Sequence, residues 1–418
     1  MNEANTPRTR ALLQVMIPLC GVAMSGAAAA QSSVSLYGVV DNAFAYSSNQ
    51  GGHSNFYLSQ GNLQASKFGL LGSEDLGGGS RAIFRLESGF NSLTGAQSSA
   101  GLIFNRQAYV GLADDRLGTL SLGRQYTPYF NLVGALGPTG VLTGATGAHP
   151  GDLDALDTTL RLNNSVAYAS PVIAGLQFGA QYGIGGVPGS IGAGGMFSAA
   201  LRYDFKAFAA AAGYVRLRDG ATSPALGSFA INSPVNSGYA TAGSAQIVGA
   251  AARYKLGDLM LGVNYSNVEY SPGSGSRFTG AGVFNTYGAI ATYSFTPALT
   301  VGAGYSFTAA SKANGIDDPA RYHQISLEET YSLSKRTTLY ALQAYQHARG
   351  QDPHRDGIGC PRHRLGRRIG RRFAEYDALV RAVADRLHAR NPARILKRAY
   401  RRPIRTRRPP AHAGGRAR

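Results

Sequence analysis

Over roughly 300 residues the chain repeats one hydropathic pattern: apolar and polar residues alternate in short segments, with no apolar run long enough for a membrane-crossing helix after residue 30. Successive side chains of an extended strand point to opposite faces. The pattern therefore dictates strands with one oily and one wet face. Residues 298 to 309 show it most plainly, with Leu299, Val301, Ala303, Tyr305 and Phe307 alternating with Thr300, Gly302, Gly304, Ser306 and Thr308. Residues 258 to 266 set Leu259, Leu261, Val263 and Tyr265 against Gly262, Asn264 and Ser266. Near the start, Val34, Leu36, Val40, Phe44 and Tyr46 share one side and Ser35, Tyr37 and Asp41 the other. Residues 79 to 90 aim Arg81, Arg85 and Glu87 away from Ala82, Phe84 and Leu86.

Fifteen such segments can be marked between residues 33 and 349, and the connections between them alternate in length. Short ones (77–79, 114–117, 257, 296–297, 334–335) take turns with long Gly/Ser-rich ones (50–63, 91–101, 185–195, 219–243, 271–280). Short turns on one side and long loops on the other are the mark of an outer-membrane barrel. A β-sandwich would bury one face of each sheet against another, and it gives no reason for the alternation in length. The wet face carries small and polar residues rather than the bulky filling of a small barrel, and barrels of about 16 strands enclose an aqueous lumen. The expected fold is all-β: a transmembrane antiparallel barrel with about 15 strands in this chain. The expected function is passive diffusion of ions and small hydrophilic solutes.

One connection breaks the pattern. Residues 126 to 164 read YTPYFNLVGALGPTGVLTGATGAHPGDLDALDTTLRLNN, with too little periodicity for a strand or a helix. Loops of this length inside a compact fold are usually functional. A long, partly acidic loop in the wall of a channel is expected to be its constriction.

The termini read differently from the body. Arg8 and Arg10 precede an apolar stretch from Ala11 to Ala23, and Ala28, Ala29 and Ala30 lie just before Gln31, as in a cleaved signal peptide spanning 1–30. No cysteine occurs from residue 31 to 350, which suits an exported barrel independent of disulfides. The net charge of +18 is concentrated at the other end: residues 1 to 350 hold 21 Lys+Arg against 18 Asp+Glu, and residues 351 to 418 hold 20 against 5. Alternation stops after Gly350, and Arg makes up 19 of the last 68 residues. The expected division is a signal peptide (1–30), a barrel (31–350) and an Arg-rich, disordered tail (351–418), with an amphipathic helix around Phe373 to Leu387 as its one ordered piece. Clustered Arg can neutralise phosphates, but an exported barrel is not expected to meet nucleic acid. Arg, Pro, Ala and His enrichment is what a GC-rich coding region yields when read out of frame. Fifteen strands without a closing partner would expose unpaired backbone to hydrocarbon, so poor assembly is expected.

Catalytic signatures are missing from the sequence. His53, His149, His323 and His347 are scattered over different segments, as a Ser/His constellation would not be. No Gly-rich loop ends in Gly-Lys, and no Cys/His cluster has metal-ligand spacing. No catalytic residue, cofactor or metal is therefore expected. The competing reading is a structural or adhesive outer-membrane barrel without general channel activity.

In order along the chain, SVSLYGVVDNAF, SKFGLLGSEDLGGG, FRLESGF, FNRQAYVGL, LGTLSLGRQYTP, AHPGDLDALD, LNNSVAYASP and LSKRTTLYALQAYQHARG resemble the general-diffusion trimeric porins of Gram-negative bacteria, of the β-proteobacterial branch. The resemblance spans residues 33 to 350. It implies a 16-stranded barrel in outer-membrane lipid, a homotrimer, and a third external loop folded into the lumen as an eyelet. The family's basic wall residues have counterparts in Lys67, Arg106 and Arg161, while a position often basic on the first strand is Val39 here. Asp152, Asp154 and Asp157 would face them from the loop. By alternation Arg85 joins the basic side, with Glu87 balancing it, and Arg124 faces outward with Leu120 and Leu122. Opposed charges across a narrow wet gap set up a transverse field that orients dipolar solutes and biases ion selectivity. The sign expected here is weakly anion-selective.

Overall fold

The computed structural model describes residues 32–351 apart from 158–159, 191, 220–222, 224, 231–232 and 234, together with the backbone of Arg372–Tyr376 and Ala382–Val383. The expected signal peptide lies outside the described residues, as does nearly all of the tail.

The first wall strand is split into β1 (Ser33–Val39) and β2 (Asn42–Gln50), and it is followed by β3 (His53–Gln60), β4 (Lys67–Gly77), β5 (Ser80–Gly89), β6 (Gln107–Asp114) and β7 (Gly118–Tyr126). After the long loop come β8 (Arg161–Ala169), β9 (Leu176–Gly183), β10 (Met196–Phe205), β11 (Phe208–Arg218), a short β12 (Leu226–Ser228) and β13 (Ser244–Leu256). The wall ends with β14 (Leu259–Ser271), β15 (Gly282–Ser294), β16 (Leu299–Ala310), β17 (Arg321–Ser332) and β18 (Thr337–Arg349). Each of the fifteen expected segments is extended. Neighbours in sequence pair antiparallel from β4 to β18, with β12 set aside against β8 and β1 laid on β4. This is the meander of a porin-type transmembrane β-barrel.

Its burial is inverted relative to a water-soluble protein. Val34, Leu36, Val110, Leu112, Leu120, Leu122, Leu261, Val263 and Tyr305 are exposed, while Ser198, Ser266, Thr286, Thr308, Gln324 and Ser326 are buried. A large exposed apolar surface marks an interface with something apolar, and on an outer-membrane barrel that surface is the lipid-facing band.

Two connections differ from expectation. Residues 50 to 63 are not an open loop: His53–Gln60 is a strand, β3, that folds back on β2 as a hairpin. HSNFYLSQ itself alternates, and Gly51 and Gly52 supply the positive φ values (66° and 99°) of a tight turn. At Asp41, between β1 and β2, the wall bends. One carboxylate oxygen of Asp41 accepts the backbone N–H groups of Leu63 (2.9 Å) and Gln64 (2.8 Å), and the other accepts the Tyr340 hydroxyl (2.5 Å). The first wall strand is thereby fastened directly to the last.

The tail contributes backbone to the sheet. β19 (Arg372–Tyr376) lies between β18 and β2, and β20 (Ala382–Val383) pairs with the start of β18. An extended Arg372–Tyr376 replaces the first turn of the helix expected around Phe373 to Leu387. Ala382–Val383, within the same expected helix, is extended too; its remaining residues, and the disorder expected elsewhere in the tail, lie outside the described residues.

Candidate functional site

The connection between β7 and β8 folds inward across the lumen. Its first turn, α1 (Pro128–Leu132), starts where a helix can: Pro128 fits the first helical position, and Thr127 Oγ1 accepts the backbone N–H of Phe130. A 3-10 turn (Gly134–Leu136), the single turn α2 (Pro138–Val141) and further 3-10 turns at 144–147 and 150–152 complete it. Tyr129, Val133, Leu136, Leu153 and Leu156 form one buried cluster with Ala200, Ala211, Ile247 and Ala251 of the wall. The wall makes room for them. A Cβ on Gly249 would stand 2.2 Å from the Tyr129 hydroxyl, and one on Gly302 would stand 2.2 Å from Leu142 Cδ1. Polar contacts fix the same face: His149 Nδ1 donates to Asp154 Oδ2 (2.5 Å), Ser266 Oγ donates to the same oxygen (2.7 Å), and Gln324 Nε2 donates to the Ala148 carbonyl (2.9 Å).

The facing wall carries cations gathered around one carboxylate. Glu87, wholly buried on β5, accepts Arg85 Nη2 (2.9 Å), Arg106 Nε (2.9 Å), the Tyr37 hydroxyl (2.6 Å) and the Tyr126 hydroxyl (3.2 Å). The guanidinium groups of Arg106 and Arg161 lie 5.6 and 5.1 Å from the centroid of the Tyr126 ring, and that of Arg85 lies 5.2 Å from the Tyr37 ring. These are cation–π distances. The two tyrosines hold three arginines in place.

Space remains between loop and wall. A cavity of about 690 Å³ is lined by Lys67, Arg106 and Tyr126 of the wall, by Phe130, Leu142 and Asp157 of the loop, and by Asp41, Glu328, Lys335 and Arg336. A second, of about 510 Å³, shares Lys67, Tyr126 and Phe130 with it and adds Arg85, Glu87 and Tyr109. Lys67, Tyr126 and Phe130 thus stand where the two spaces adjoin.

The expected site residues separate into distinct groups. Lys67, Arg106 and Asp157 line one cavity together, and Arg85 and Glu87 line the other. Arg161 lies behind the Tyr126 ring and donates to Ser228 Oγ at 2.8 Å. Glu87 sits inside the basic cluster, because alternation puts it on the same strand face as Arg85. Asp154 and Asp152 depart from the expected ring. Asp154 is fully buried against β14, and Asp152, at φ 48°, is buried and accepts the backbone N–H of Asp157 at 2.9 Å. A carboxylate consumed by such contacts is not presented to solute. Burial opposes ionisation of Asp154, but His149 and the Ser266 hydroxyl outweigh it and hold the carboxyl below the usual range. Asp157 behaves in the opposite way: burial pushes its carboxyl up to about 7, with Arg106 and Arg161 pulling back and Asp154 adding to the rise.

Arg124 donates to the Asn105 carbonyl (2.8 Å) and to Asn163 Oδ1 (2.5 Å). Tyr37, Tyr126, Asp41 and Glu328 also belong to the site, beyond the residues that the sequence points to. For Glu328 a signal existed, since it shares parity with lumenal Gln324 and Ser326 on β17.

Comparison with known proteins agrees with this architecture. A family model described as Gram-negative porin matches residues 19–351, ending where the Arg-rich tail begins. An outer membrane porin of Bordetella pertussis is 30% identical over 353 residues, which cover 77% of this chain and 90% of that protein. Outer membrane porin protein 32 of Delftia acidovorans is 32% identical over 344 residues, covering 79% of this chain and 88% of that protein. Among solved structures, an anion-selective porin from Comamonas acidovorans superposes with a TM-score of 0.61 at 22% identity, over 84% of this chain and 97% of that one. An inverted barrel, a loop packed into its lumen and a family match over most of its length lead to one conclusion: this chain belongs to the Gram-negative porin family, and it forms an outer-membrane channel for passive diffusion of ions and small solutes.

Proposed function

We propose that the gap between Lys67 and Arg106 on the wall and Asp157 on the inward loop is the constriction of this channel, and that it favours anions weakly. The observation that carries this reading is the cavity these three residues line together with Tyr126. Glu87, paired with Arg85 and Arg106, sets one negative charge against the four positive charges of Lys67, Arg85, Arg106 and Arg161, so the wall side keeps a cationic excess. Of the loop's three aspartates Asp157 is the one left to oppose it, and its raised carboxyl supplies only part of a charge near neutral pH. Small hydrophilic anions gain from that field, and apolar solutes lose by it. The anion selectivity of the Comamonas porin, similar in fold, points the same way. The channel works as a homotrimer whose outward apolar band contacts outer-membrane lipid, and it carries out no catalysis.

The test is the reversal potential of single channels in a KCl gradient. Lys67→Gln should move it toward cation preference and Asp157→Asn toward anion preference. Variants that both leave it in place would remove these residues from the constriction.

A further inference from the structure

We propose that the non-family tail, through Arg372–Tyr376 with Ala382–Val383 beside it on β18, serves this chain as the strand that joins the last wall strand to the first. The inference goes beyond the channel reading, because that reading needs only residues up to 351. β18 gives one edge to β17, and β2 gives one edge to β3. Their remaining edges are N–H and C=O groups that water cannot satisfy inside a bilayer, where each unpaired group costs several kcal/mol.

The tail backbone occupies both edges. On β18 the register runs antiparallel from Gln346↔Arg372 through Ala344↔Ala374 to Leu342↔Tyr376, and it resumes lower down at Thr338↔Ala382 and Thr337↔Val383. Both stretches run antiparallel to β18, as registered neighbours of its two halves: Arg372–Tyr376 on the upper half and Ala382–Val383 at its start. On the other side the same segment meets the first wall strand at Ala374↔Ser47 and Glu375↔Tyr46, also antiparallel. Antiparallel order on both edges is what a closing strand of an up-and-down barrel requires. The tail is suited to this at one place. From Arg371 to Arg390 it has neither Gly nor Pro, and from Phe373 to Val380 no Arg, although Arg makes up 19 of its 68 residues. Pro would remove ladder donors and Gly would weaken the strand.

The direct latch from Asp41 to Tyr340 brings the two edges together from the lumenal side, and the tail strand would satisfy the backbone beside it. The segment is supplied by the same chain. A second copy lending its tail would present the same pairing between molecules.

Site-directed crosslinking on the full chain, with Cys360→Ser as background, tests this. Ala344→Cys with Ala374→Cys, and Ser47→Cys with Ala374→Cys, should each give an intramolecular product with a short thiol crosslinker in the assembled protein. Ala291→Cys with Ala303→Cys, registered across β15 and β16, is the positive control. No product at either tail pair, with the control pair crosslinked, would overturn the proposal, and so would products only between chains. Truncation after Gly350 gives an independent reading: the proposal expects loss of protease-resistant, heat-modifiable protein in the membrane. Retention at the full-length level would contradict it.

Discussion

Glu87 and Asp157 are both carboxylates beside Arg106, yet they do different work. Glu87 is wholly buried and hydrogen-bonded on every side, so it serves as the counter-charge that lets Arg85 and Arg106 share one patch of wall. Removing one partner of a buried ion pair costs about 3–5 kcal/mol. Glu87→Ala should therefore lower the temperature at which the folded form is lost on heating, read from its heat-modifiable migration, while anion preference rises. Asp157 lies at the gap and titrates near 7. Below that pH its carboxyl is neutral and the gap more positive; above it, the carboxylate offsets Lys67 and Arg106. Anion preference should thus fall as pH rises through 7, and Asp157→Asn should flatten the dependence. A single charge about 8 Å away in water contributes about 0.5 kcal/mol, so the change in permeability ratio should be about twofold. Sequence could place three aspartates in the loop, but not say which one meets water. That choice rests on contacts such as Asp154 with Ser266, which lie 112 residues apart in the chain.

At the scale of elements, the loop is shaped by what it packs on. Its two helices, of five and four residues, are too short to carry a periodic signal, and so short a helix is not stable alone in water. α1 and the 3-10 turn after it are held because Tyr129 and Leu136 are buried against small wall residues. The wall strands, by contrast, were legible throughout, since an alternation of period two fixes both their extension and their faces. The hairpin of β2 and β3 is hard to see in the sequence because its Gly-Gly turn opens a Gly- and Ser-containing stretch that resembles a long loop, although HSNFYLSQ alternates beside it. Gly249→Val tests the packing account. Its side chain would collide with the Tyr129 ring, and overpacking of this kind typically costs about 1–3 kcal/mol. The loop should shift off β13, giving larger and noisier single-channel currents from a barrel that still assembles. Conductance identical to the parent's would mean that Tyr129 does not position the loop.

For the whole molecule, the same alternation that makes strands also sorts them into a barrel, with polar residues lining the lumen and apolar residues facing out. That much follows from side-chain direction alone. What the sequence could not supply was the partner for the two end strands, because the tail lacks the alternation that marks the other strands; its place between β18 and β2 is visible only as backbone register. Taken together, these features require an open aqueous path narrowed, but not sealed, by the loop. Its most direct test is conductance of the purified, assembled protein in planar bilayers. The account predicts stepwise, ohmic openings that persist at low voltage and, in a salt gradient, a reversal potential on the anion side. An assembled barrel that inserts and passes no current would contradict it.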